Sequence, residues 1–186
     1  MKSILQPIVF LILAMISLNV SAQNSEKVIN LKKQKIQIHG TSTLHDWTCD
    51  VTESAIKVIA DFDGAGVTTL KGATVNIPVK GIKSGKSAMD SNTYSALKMK
   101  SHPNIIFKLN APTEGSTLKG TLTIAGTSNP VTLKADKKGN TFSGKYTFKM
   151  SEFGIEPPTA MFGTVKTGDE VTIEYSVDLD AGTEVQ

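Results

Sequence analysis

The side chains of this 186-residue chain best equipped for chemistry are three histidines and a single cysteine. A metal site needs such residues brought side by side, four apart on a helix or two apart on a strand. His39 and His45 are six apart, and His45 and Cys49 are four apart in a stretch that does not read as helix, so no ligating set forms. On a strand, His45, Trp47, Cys49 and Val51 would share one face, where a lone cysteine beside Trp and Val reads as a small buried hydrophobe. His45, at the start of that face, reads either as a loop residue hydrogen-bonding its surroundings or as a rim residue turned toward a ligand head group. Covalent hydrolysis needs a nucleophile, a base and an oxyanion hole, and the Gly-x-Ser-x-Gly elbow is absent. The carboxylates at Asp61 and Asp63, and at Asp169 and Glu170, sit beside glycine-rich turns, which predicts solvated turns rather than an acid–base pair. No glycine-rich phosphate loop precedes a helix. The inventory calls for no catalytic residue, metal or other cofactor.

The elements that would position any site are strands. Leu118 to Leu133 holds two period-2 runs around a turn-rich cluster: Leu118, Leu122 and Ile124, with Gly120 between them, then Val131, Leu133 and Ala135. This pattern predicts a β-hairpin with one dry face. The same alternation recurs at Ile36 and Ile38, at Ile56 to Phe62, at Ala73 to Val79, at Ile105 to Leu109, at Phe142 to Met150 and at Val171 to Leu179. Turn chemistry separates the runs, as at Asp63–Gly64 and Lys138–Gly139–Asn140. About eight antiparallel strands with short connections predict an all-β, up-and-down barrel, because closure removes exposed strand edges. Two segments break the alternation. Residues 91–100 place Thr93, Tyr94, Ala96 and Leu97 at helical spacing, with Asp90 or Ser91 as cap and Pro103 beyond the end. This predicts one short helix near a barrel opening. Residues 152–167 carry Pro157–Pro158 and are too long for a tight hairpin. Their apolar Phe153, Ile155, Met161 and Phe162 predict a fold over the barrel mouth or a plug in one end.

The inward register of such a barrel collects Phe62, Val75, Ile77, Phe107, Phe142, Tyr146, Phe148 and Tyr175. An eight-stranded barrel is just wide enough to be filled by side chains or to hold one ligand. Gly120 and Gly144 lie in the same register, where each would leave room or mark a bend.

Lys2, the apolar run from Ile8 to Leu18, and Val20–Ser21–Ala22 before Gln23 read as a cleaved secretory leader over residues 1–22. The run is shorter than the roughly 20 residues a spanning helix needs. Residues 23–186 then read as one domain, exported to the periplasm or secreted, with no stable membrane anchor. The formal net charge of the whole chain is +3, and no residue is arginine. Without arginine's planar fork, nucleic-acid readout and a dedicated phosphate site are disfavoured. Lys32, Lys33 and Lys35 read as a solvated strand edge.

The hairpin also resembles, position by position, the L-x-G-x-L-T-I-x-G-x-x-x-P-V-x-L signature of the YceI-like family of secreted lipid-binding barrels. Gly40–Thr41–Ser42–Thr43–Leu44–His45–Asp46–Trp47 is similar to the family's early strand, and Asp90 through Phe107 to its helix and the x-x-x-Pro-x-Ile-x-Phe that follows. Ser151 to Ile155 and Gly168 to Val171 resemble its closing motifs. The resemblance implies an extended, lipocalin-like barrel holding a polyisoprenoid or similar long-chain amphiphile, and a ligand-lining role for Trp47, Phe107 and Phe153. It departs where Met89 precedes Asp90 and where Met99–Lys100–Ser101–His102 fills the place of a doubled aromatic, so no head-group partner carries over.

Three readings follow: a lipid carrier or scavenger without catalysis, a structural or interaction barrel with a filled core, and an enzyme acting on an isoprenoid lipid with His45 as base. The oligomeric state, homodimer included, is left open. The leader reading has a direct check, since N-terminal sequencing of the exported protein is expected to begin at Gln23. An intact Met1 would remove the argument for export.

Overall fold

The computed structural model describes residues 27–63, 66–113, 115–160 and 162–184, with side chains left aside at 27–32, 62–63 and 180–184. The leader reading over residues 1–22, the side chain of Phe62 and Met161 therefore lie outside the described residues. In chain order the elements are β1 (Lys27–Ser42), β2 (Trp47–Val51), β3 (Ala55–Asp63), β4 (Gly66–Pro78), β5 (Ile82–Lys83), α1 (Ser87–Ala96), β6 (Asn104–Leu109), β7 (Thr117–Ile124), β8 (Thr127–Lys134), β9 (Asp136–Lys138), β10 (Thr141–Lys149), β11 (Thr159–Ala160) and β12 (Val165–Glu184). Single 3-10 turns occupy Val79–Gly81 and Met150–Phe153.

The protein is an all-β, antiparallel, lipocalin-like barrel. Its long strands follow the order β8-β7-β6-β4-β3-β1-β12-β10, so the first strand pairs with the last and the rest meander around. Short turns between consecutive runs force antiparallel neighbours at β3–β4 and β7–β8, whereas β4 and β6 are joined through β5 and α1, and β10 and β12 through the Met150–Phe153 turn and β11. The β7–β8 connection is Ala125–Gly126, both at positive φ (49° and 86°), a two-residue hairpin whose twist suits the flanking strands.

One line of the wall is not laddered. β8 and β10 face each other without pairing, and Pro130, which has no N–H to give, lies on β8, whose other edge is paired with β7 along its length. The wall is completed below this seam, where the chain passes from β8 through buried Ala135 into β9, which pairs with β10. Tyr175 of β12 adds a stitch. Its ring crosses Gly144, its register partner on β10, and its hydroxyl donates to the Lys134 carbonyl at 3.0 Å. A Cβ on Gly144 would overlap both that carbonyl and the phenol oxygen. Gly144 thus leaves room for a ring rather than for a ligand. The same holds at Gly120, where a Cβ would strike the ring of Phe107, and at Gly40, where it would strike Trp47. In each case a glycine lets an aromatic ring from a neighbouring strand lie flat along the wall.

The helix is displaced from its expected position. It runs from Ser87 to Ala96 rather than over 91–100, because its end is closed early. Met99 N donates to Tyr94 O and Lys98 N to Ser95 O, both at 3.0 Å, with Lys98 in the left-handed region (φ 53°). This is a Schellman closure with lysine in the usual glycine position, and Pro103 lies beyond it. Asp90 does not cap the helix either, since its carboxylate accepts from Ser84 N (2.7 Å) and Ser84 Oγ (2.6 Å).

Three further expectations change. Lys33 and Lys35 are exposed, but β1 is bridged to β12 along its length and pairs β3 before them and β2 after them, so they mark a break in the ladder rather than a sheet edge. Asp61 is a strand residue paired with Lys71 at 2.9 Å. Asp169 is also a strand residue, and its carboxylate accepts from Ser151 N (2.9 Å) and Ser151 Oγ (2.6 Å), which pins the Met150–Phe153 turn to β12.

At the seam Gly144 has no room for a side chain. Gly144→Ala is expected to lower stability by about 1–3 kcal/mol, the usual cost of overpacking. Calorimetric melting checks it, and an unchanged melting temperature would show that the Tyr175 stitch is dispensable.

Candidate ligand-binding site

The barrel interior is hollow. It contains two adjoining chambers, of ≈ 370 Å³ at the end under α1 and ≈ 140 Å³ at the far end. The larger lies within the usual range of small-molecule sites, roughly 300–1,000 Å³. Four isoleucines line both chambers and form the waist between them: Ile36, Ile77, Ile105 and Ile173. They come from opposite walls, with Ile77 paired to Ile105 across β4 and β6, and Ile36 and Ile173 on β1 and β12. Branching at Cβ holds each near one rotamer, so the waist is firm.

The far chamber is lined by Val75, Phe107, Phe142, Leu122, Leu133, Val177 and similar residues, and only Tyr146 and Tyr175 bring polar atoms to it. Burial pushes the Tyr175 phenol up to about 12 and raises that of Tyr146. Both therefore stay neutral at any physiological pH. Several wall residues, including Val75, Phe107, Phe142 and Tyr146, point inward yet are only half-buried, because the space they face is empty.

The larger chamber is where the chain departs from the strand pattern. Trp47, Cys49 and Val51 of β2 line one side, and the indole Nε1 of Trp47 donates to Thr41 O at 2.9 Å. Cys49 is buried, and desolvation first, then Asp90 and Asp50, push its thiol up to about 11. The roof is α1, which turns Ala88, Met89, Asn92, Thr93, Ala96 and Leu97 toward the chamber, a face that repeats every four residues. Two anchors hold the helix there. One is the Asp90–Ser84 pair, whose hydrogen bonds keep the Asp90 carboxyl below its ordinary range. The other is Tyr94, whose hydroxyl lies 2.7 Å from Lys83 Nζ and 3.0 Å from the Lys80 carbonyl. Polar groups gather at this opening: Ser42, His45, Lys86, Asn92, Thr93, Thr159 and Thr167. His45 Nδ1 lies 2.7 Å from the carbonyl of Asp46, and both the Leu44 and His45 amides donate to Ser42 Oγ at 3.2 Å.

Of the residues singled out from sequence, Trp47, His45 and Phe148 line the larger chamber, Val75, Phe107, Phe142 and Tyr146 the smaller, and Ile77 both. Two lie elsewhere. Phe153, 1% exposed, packs edge-on to Phe148 at 5.1 Å between ring centroids, behind the lining rather than on it. Phe162 is fully exposed and turned away from the lumen. The 150–160 segment does close over the barrel, but its plug is Met150, Phe153 and Ile155. The sequence points to Ile77 and to a short helix at a barrel opening, but not to Ile36, Ile105 and Ile173 as shared lining or to the side chains by which α1 roofs the larger chamber. The fourfold repeat of Ala88, Asn92 and Ala96, and of Met89, Thr93 and Leu97, was the signal for the roof. Among the described residues no cluster of His, Cys, Asp or Glu is arranged to hold a metal ion, and no helix is long and apolar enough to cross a membrane.

Comparison with known proteins places this geometry. Residues 21–179 match the family model of the YceI-like domain. The crystal structure of Burkholderia cenocepacia BcnA superposes with a TM-score of 0.61 at 22% identity, covering 80% of this chain and 98% of that one. A polyisoprenoid binding domain from Saccharophagus degradans, implicated in plant cell wall breakdown, gives 0.60 at 10% identity, with 84% and 98% covered. The Campylobacter jejuni YCEI protein gives 0.52 at 21%, with 69% and 85% covered. At these identities the structural likeness is one of fold. A search of curated proteins gave no match.

The burial of Cys49 has a measurable effect. With its thiol near 11, only about one molecule in a thousand carries the reactive thiolate at pH 8. Native protein is expected to react with a thiol reagent far more slowly than protein unfolded in urea, and equal rates would show that solvent reaches β2 freely.

Proposed function

The chain belongs to the YceI-like family, and from that membership and its hollow apolar interior we propose that it is an exported carrier or scavenger of a polyisoprenoid or similar long-chain amphiphile, without catalysis. The observation that carries the reading is the pair of apolar chambers that adjoin at the isoleucine waist, from the α1 opening to the far end. A filled structural barrel would have closed that space with its own side chains. The presence of a polyisoprenoid binding domain among proteins of the same fold agrees with this ligand class.

The physical chemistry suits exchange rather than permanent capture. At about 0.8 kcal/mol per methylene, one five-carbon unit moved from water is worth roughly 3–4 kcal/mol. Such a lipid leaves a membrane or micelle rather than water, so the net gain is modest and release is feasible. Apart from the neutral hydroxyls of Tyr146 and Tyr175, the polar lining side chains stand at the α1 opening, which orients an amphiphile tail-first with its head among Ser42, His45, Lys86 and Asn92. With Nδ1 of His45 against the Asp46 carbonyl at 2.7 Å, Nε2 is the ring nitrogen left to meet a head group at this rim.

Native mass spectrometry of the exported protein is expected to show a co-purifying apolar mass. Phe107→Ala, on the wall of the smaller chamber, is expected to reduce retained lipid at least tenfold. Its stability loss should stay below the roughly 3–5 kcal/mol typical of a packed phenylalanine, because the ring borders space on one side. A full core-sized loss together with no lipid in the wild type would overturn the carrier reading in favour of a filled barrel.

A further inference from the structure

Phe162, expected to fold over the barrel mouth or plug one end, is instead the most exposed large hydrophobic residue described, and its place at the mouth gives it a role. We propose that Phe162 and Leu44 form a docking surface by which the open end of the barrel seats on an anionic lipid bilayer, an inference that rests on the lumen being a lipid site.

Four observations converge. Leu44 is 67% exposed, and it lines the opening of the larger chamber. Phe162 stands in the turn between Ala160 and Val165, which line the same opening. The two loops are tied together, since Thr43 N donates to Lys166 O at 2.9 Å and Lys166 N to Thr43 Oγ1 at 3.1 Å. The two apolar side chains therefore form one corner of the mouth. Phe162 also holds a positive φ of 57°, a conformation disfavoured for a bulky aromatic, while burying nothing within the protein. Glycine or asparagine would suit that turn better, so the fold gains nothing from a phenylalanine there. An apolar tip beside an opening to an apolar lumen fits the acyl region of a bilayer, the medium from which such a cargo comes. Lys86 at the opening and Lys166 beside Val165 carry the charge that anionic head groups attract, set against Asp46 on the 43–46 loop and Glu156 next to the lining residue Ile155.

The test uses a chain beginning at Gln23, which keeps every described element, and sucrose-loaded vesicles of mixed phosphatidylcholine and phosphatidylglycerol. Wild type is expected to sediment with the vesicles, and Phe162→Asn to reduce the partition roughly tenfold or more, the equivalent of one buried aromatic side chain. The same variant should keep the wild-type melting temperature and retain lipid loaded from detergent micelles. Phe162→Trp should restore partition, and its emission should shift to the blue on vesicle addition over the Trp47 background recorded in wild type. Equal partition of wild type and Phe162→Asn, or no blue shift, overturns the docking surface while retained lipid leaves the lumen reading standing. Light scattering in which Phe162→Asn turns a dimer into a monomer also overturns it, by making the corner a contact between copies. If neither protein retains lipid from micelles, the lumen reading itself falls and takes the docking surface with it.

Discussion

The structure depends on one constraint: eight strands must close around more space than their side chains fill. Backbone pairing closes nearly all of the circumference, including the long junction of β1 with β12. What remains is the β8–β10 seam, where Pro130 cannot donate and the ladder lapses. There the phenol of Tyr175 crosses the bare Cα of Gly144 to reach a carbonyl on the far side. A side-chain hydrogen bond thus does the work of a missing backbone one, and it is possible only where the intervening strand has no side chain. The raised phenol range that burial imposes keeps that donor protonated.

The same economy of space recurs around the wall. Where Trp47 faces Gly40 and Phe107 faces Gly120, a large ring lies against the sheet instead of across the lumen. Aromatic area is thereby supplied to the interior without filling it. A barrel with alanines at those glycines would have to turn its rings inward into the chambers. The hollow is therefore specified by residues that bear no side chain as much as by those that line it.

Much of this was legible in the sequence. Period-2 alternation places Val75, Ile77, Phe107, Phe142 and Tyr146 on the inner face, because a strand's pleat leaves no other choice once one side is dry. The helix was legible in kind but not in position. Its C-terminal closure uses Lys98 in a left-handed conformation, which the residue type does not announce, whereas Pro103 announces a stop that the chain has no need of. Phe153 and Phe162 show a different limit. Both are aromatic and lie nine residues apart in an irregular segment without periodicity, so hydrophobicity alone could not tell the plug behind Phe148 from a tip in solvent. The role of Asp169 was equally hidden, since its partner Ser151 lies on another element and only the folded chain brings them within 2.6 Å.

The hollow interior bears on how long the protein lasts. Side chains lining the two chambers forgo dispersion contacts that a filled core would supply. Any occupant that prefers the folded chain adds free energy that grows with the logarithm of its concentration. On the proposed carrier role, turnover would be slowest when cargo is abundant and fastest when it is scarce, and the standing amount of the protein would follow its ligand without any change in synthesis.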